Sequence, residues 1–89
     1  MKAIVTVIGK DQVGIIARVC QLLAGCGVNI LDISQTVMQE YFTMIMLVDT
    51  EGCSEPFAEL AQRLREEGER GGLDIRMQRE DIFNAMHRI

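Results

Sequence analysis

Residues 29–50 read NILDISQTVM-QE-YFTMIMLVDT, and this stretch decides the fold. Asn29 to Met38 and Tyr41 to Thr50 are each of strand length, and only Gln39-Glu40 lies between them, which predicts a β-hairpin. The turn lacks Gly or Asn, so turn chemistry does little to fix its register. In the second strand Phe42, Met44, Met46 and Val48 alternate with Ile45 and Leu47, so both faces are apolar.

Working outward, a helical period flanks the hairpin on each side. Upstream, Ile15, Ile16, Val19, Leu22, Leu23 and Cys26 recur at helical spacing, with Arg18 and Gln21 on the other face. Asp11 is a candidate N-cap, and Gly25 and Gly27 can stop the helix. Downstream, Ser54 is a candidate N-cap with Pro56 in the first turn, and Phe57, Leu60, Ala61 and Leu64 mark one face. Glu59–Arg63 and Glu66–Arg70 are spaced as i,i+4 ion pairs, and Gly71-Gly72 closes the helix. At the outer ends, Lys2 to Ile8 (KAIVTVI) reads as a central strand ended by Gly9. Leu73 to Glu80 alternates Leu73, Ile75, Met77 with Asp74, Arg76, Gln78, as a half-exposed edge strand does. Ile82, Phe83, Met86 and Ile89 follow at helical spacing and predict a short C-terminal helix over about 81–88. The order β-α-β-β-α-β leads to an α+β ferredoxin-like sandwich. It has a four-stranded antiparallel sheet with two helices on one face, plus the tail helix, in a single domain spanning 1–89.

Two helices cover one side of such a sheet, yet the first and third strands are apolar on both sides. With 48% hydrophobic residues in 89, the chain holds more apolar material than a small monomer easily hides. The tail helix and a second subunit are the available covers, which predicts a homodimer. Met38, Met44, Met46 and Met86 read as adaptable packing rather than as metal ligands.

A net charge of −4 argues against nucleic acid and against an anionic membrane surface as partners. The longest apolar runs are strand-sized, and residues 1–9 show no secretory pattern, so a cytoplasmic location is expected. Cys20, Cys26 and Cys53 are odd in number and lack CxxC spacing, so they read as semi-buried thiols, not as a disulfide framework or a zinc site. His87 cannot build a metal site alone, and Asp32 and Asp49 have no partner that suits acid–base work. No cofactor, metal or catalytic residue is expected, and the chain reads as a non-enzyme.

The topology hosts several functions. An RNA-binding version needs stacking aromatics on the central strands, and only Tyr41 and Phe42 are present, at the start of the third. A metallochaperone version needs CxxC where Lys10-Asp11-Gln12-Val13-Gly14 stands. That loop remains. Gly14 removes a side chain at a helix start, where backbone N–H groups and the positive end of the dipole can take a carboxylate; taken alone, the glycine is better explained by an ordinary tight turn.

Val7 to Gln35 (VIGKDQVGIIARVCQLLAGCGVNILDISQ) resembles the ACT domain, a regulatory module that typically binds amino acids. The matching pieces are the first strand, D-x-x-G-I at Asp11, Gly14 and Ile15, the helix, and G-V-N-I from Gly27 to Ile30. The ending from Glu80 to Ile89 (EDIFNAMHRI) looks like that of the small stand-alone ACT proteins. The resemblance implies a dimer and a ligand site between protomers. Carried onto this chain, it nominates Lys10, Asp11, Gln12, Val13, Gly14 and Ile15 on one side, and Asn29, Ile30 and Leu31 of the neighbour on the other. Helix-start amides would take an α-carboxylate, and Asp11 or the Asn29 side-chain oxygen an α-ammonium. ACT domains usually ride on an enzyme or a transcription factor, and this chain carries neither, so a regulated protein partner is implied but unspecified. The alternative is a dimerisation or adaptor module that binds no ligand. An acylphosphatase-type enzyme would need an Arg in the first loop, where residues 9–14 offer only Lys10.

Overall fold

The computed structural model describes residues 1–10 and 14–81. Alternating β-branched residues form β1 (Lys2–Lys10), and helical periodicity gives α1 (Ile15–Gly25). The hairpin strands are β2 (Asn29–Met38) and β3 (Tyr41–Asp49), followed by α2 (Phe57–Arg70) and β4 (Asp74–Arg79). The sheet order is β2-β3-β1-β4, and every neighbouring pair is antiparallel. This is the ferredoxin-like arrangement that the sequence implies. The tail helix over about 81–88, with His87, lies outside the described residues apart from Asp81 at its start.

One face of the sheet supplies the core. Ala3, Val5 and Val7 of β1, Met44, Met46 and Val48 of β3, and Ile75 and Met77 of β4 are buried beneath Val19 and Leu23 of α1 and Leu60 and Leu64 of α2. Each fully buried aliphatic side chain stabilises the fold by roughly 1.5–3 kcal/mol. Among the described residues, every buried strand side chain points to the helix side.

The element ends depart from expectation for local reasons. β1 continues through Gly9, whose bare backbone admits the Leu73 side chain; a Cβ there would meet Leu73 Cδ2 at 2.5 Å. The cap of α1 is Gly14 in the left-handed region (φ 84), not Asp11, which is itself outside the described residues. The cap of α2 is Pro56 rather than Ser54, and its carbonyl accepts from the Leu60 N–H at 3.0 Å. Neither expected i,i+4 pair forms. Arg63 bonds Glu55 at 2.7 Å in the preceding turn, and Arg70 turns to Glu67 one residue nearer.

Candidate functional site

The first half of the nominated site sits where β1 gives way to α1. Lys10 ends β1 opposite Tyr41 and is exposed. Asp11, Gln12 and Val13 lie outside the described residues, and Ile15 is described only as the first residue of α1. Gly14 is exposed, and nothing stands within 4 Å of where its Cβ would be. Its carbonyl accepts the first helical bond, from the Arg18 N–H at 3.0 Å. The amides of the first turn therefore have no helical acceptor. The cap supplies no side-chain hydrogen bond, and no carboxylate stands in the first turn. Such an end attracts an anion.

The second half sits where β2 begins. Asn29 is exposed, Ile30 is half-buried against the core, and Leu31 is 44% exposed. The pairing with β3 shifts between Ile30 and Asp32, so Leu31 is the extra residue of a bulge. Beside it, Asp49 pairs in register with Asn29. The Asp49 carboxylate accepts from the Glu51 N–H at 3.0 Å and from the Met1 ammonium at 3.3 Å, and these bonds hold its pKa below the usual range.

Within one chain the structure does not bring the halves together. Asn29 pairs with Asp49, and Asp49 with Lys2, at one end of the sheet; Lys10 pairs with Tyr41 at the other. Eight residue steps along β1 separate those ends, about 26 Å.

Two features escaped sequence reasoning. Ile33 and Val37 pair with the buried Met46 and Phe42, so they share the helix side, yet they are 39% and 56% exposed. They lie on the open edge strand; periodicity alone does not say which strand is the edge. The other is a cavity of about 350 Å³ bordered by Arg18, Gln21, Leu22, Glu67, Leu73 and Ile75, among others. None of the nominated residues lines it, and no spacing signal marked it.

The three cysteines are half-buried free thiols, and Cys26 Sγ accepts from Arg63 Nη1 at 3.5 Å. No group of three or more His, Cys, Asp or Glu suited to a metal ion occurs among the described residues.

Comparison with known proteins gives one consistent answer. The family profile of the ACT domain matches residues 2–78. A UPF0237 protein of Clostridium acetobutylicum is 56% identical over 89 residues, covering 100% of both chains. An ACT domain protein from Streptococcus pneumoniae has the same fold, with a TM-score of 0.84 and 44% identity over 98% of each chain. The regulatory subunit of aspartate kinase from Thermus thermophilus matches with a TM-score of 0.64 and 28% identity, over 86% of this chain and 50% of that one.

Proposed function

Because this chain belongs to the ACT domain family, whose members are typically regulatory ligand-binding modules, we propose that it works as a homodimer that binds an amino acid between its protomers and transmits that binding to a protein partner. The reading is of a non-catalytic regulator in the cytoplasm.

The observation that carries it is the separation of Lys10 from Asn29 beside an unpaired strand edge. β2 is ten residues long, and every residue but Ile30 is exposed. No Lys or Pro guards it, and a long bare edge is a template for pairing. Two β2 edges related by a two-fold axis run antiparallel, so the start of one lies beside the end of the other. The end of β2 is Met38, opposite Tyr41 and therefore at the Lys10 end. Edges paired over their full length would bring Asn29 of the partner subunit to the helix start of the first protomer. The exposed Ile16, Ile33 and Val37 give the contact an apolar flank.

The chemistry suits a zwitterion. The α1 amides and dipole favour the α-carboxylate, and Asp11 or the Asn29 side-chain oxygen accepts from the α-ammonium. Ligand at a hundred times its Kd would stabilise the dimer by about 2.7 kcal/mol. The test joins sedimentation at micromolar concentration to a thermal-shift panel of the common amino acids. A dimer stabilised by one or a few of them is expected. A monomer would remove the site, and a dimer indifferent to all of them at millimolar concentration would leave the adaptor reading in its place.

A further inference from the structure

The two helices leave a hollow between them beside β4. α1 packs on β2 and α2 on β4, and the helices hardly approach each other. Between them opens the cavity of about 350 Å³, at the small end of the roughly 300–1,000 Å³ range of small-molecule sites. Its floor is aliphatic: Val19, Leu73 and Ile75 are at most 4% exposed, and Leu22 packs against the same core. Its rim is polar, formed by Arg18 and Gln21 of α1 and Glu67 of α2.

Charge on that rim is uneven. The Glu67 carboxylate accepts from Arg70 Nη1 and is thereby neutralised. Arg18 forms no ion pair with another described residue, and the Gln21 side chain no hydrogen bond with one. The Arg18 guanidinium lies against Gly71, the C-cap of α2; its terminal nitrogens are 2.6 and 2.9 Å from where a Cβ on that glycine would stand. The φ of Gly71 is −98, open to any residue, so the glycine answers a need for space rather than for backbone freedom. The negative end of the α2 dipole favours Arg18 there but carries only about half an elementary charge. Arg18 and Gln21, three residues apart, share one side of α1. They set a guanidinium and an amide beside an apolar floor.

We propose that this cavity binds a small aliphatic monocarboxylate, its headgroup on Arg18 and Gln21 and its tail on Val19, Leu22, Leu73 and Ile75. A guanidinium matches a carboxylate with two parallel N–H···O bonds. One unpaired arginine balances one negative charge, whereas a phosphate monoester brings about 1.5–2 and meets Glu67 on the same rim. An ammonium headgroup is poorly served, because the carboxylate of that rim already accepts from Arg70. The site is separate from the one proposed between protomers, since neither Lys10, Gly14 nor Asn29 borders it.

The test is methyl-resolved NMR on the full chain, titrated with isocaproate. Saturable shifts of the Val19, Leu22, Leu73 and Ile75 methyls at millimolar concentration are expected. Acetate, which lacks the tail, and isohexylamine, which reverses the charge, should leave them in place. Arg18→Gln alters an exposed side chain and should weaken binding roughly tenfold or more, since it removes a charge-assisted pair. Gly71→Ala crowds the guanidinium and should weaken binding as well. Asn29→Ala should bind isocaproate as the wild type does, which separates this site from the one between protomers. No shift at these methyls, an equal response to the amine, or an Arg18→Gln variant of unchanged affinity would each overturn the proposal. So would loss of binding in Asn29→Ala.

Discussion

Gly68 of α2 lies against Ile75 of β4 with no room for a methyl group between them. A Cβ on Gly68 would stand 2.8 Å from Ile75 Cγ1 and 2.9 Å from the Leu73 carbonyl oxygen. The glycine continues the buried stripe of Leu60 and Leu64.

Gly68→Ala is therefore expected to destabilise the fold, although alanine is the better helix former. Propensity favours Ala by about 1 kcal/mol, whereas overpacking against a backbone oxygen costs about 1–3 kcal/mol. A net loss of about 1 kcal/mol would lower Tm by roughly 4–8 °C. Urea unfolding with an unchanged slope measures it. A more stable variant would mean that α2 does not sit this close to β4.

The hairpin turn holds the one non-glycine residue with positive φ among the described residues, Gln39 at φ 55. Left-handed backbone costs an L-residue about 1–2 kcal/mol, and a β-branched side chain more. Gln39→Gly should match or exceed the wild type in thermal stability, because relief of that strain offsets the greater freedom of the unfolded glycine. Gln39→Val should fall below both. The reverse order would show that the two-residue turn is not the one described.

Asp49 gives a pH dependence of known sign. The Glu51 N–H and the Met1 ammonium lower its pKa in the folded state. A depressed carboxylate adds stability that is complete above its unfolded value, about 3.9, and that fades as pH falls through the lower folded value. The stability difference between wild type and Asp49→Asn should therefore be constant near neutrality and shrink in acid below that range. Equilibrium unfolding at several pH values gives the comparison. A difference that grows on acidification contradicts the assignment.

The order of elements was legible because the apolar period changes from two to helical and back at each boundary. The end of β2 and the start of β3 could be read to the residue because only Gln39-Glu40 separates them. What escaped depended on contacts between distant residues. Gly9 reads as a stop, but it remains in β1 because Leu73 needs the space above it. Asp11 and Ser54 have the right chemistry for caps, yet Gly14 and Pro56 hold those places, since backbone geometry selects where each helix begins. The nominated site could be named from its loop and its G-V-N-I strand start. That Lys10 and Asn29 lie at opposite ends of the sheet already follows from the topology, because β1 and β2 both run antiparallel to β3; strand register adds that Lys10 stands by Tyr41 and Asn29 by Asp49.

That register makes a mixed-dimer experiment decisive. Gly14→Ala adds a methyl where no other atom stands within 4 Å and strains a φ of 84, so it perturbs the helix start without a packing clash. Asn29→Ala removes an exposed side chain at the far end of the sheet. Each variant alone should lose ligand binding at both sites of its homodimer while still dimerising. In a purified dimer containing one chain of each, one site combines both changes, and the other combines an intact Gly14 with an intact Asn29. Calorimetry should then recover half the wild-type capacity at wild-type affinity. A site built within a single chain has no intact copy in that dimer, so continued absence of binding would place the ligand elsewhere.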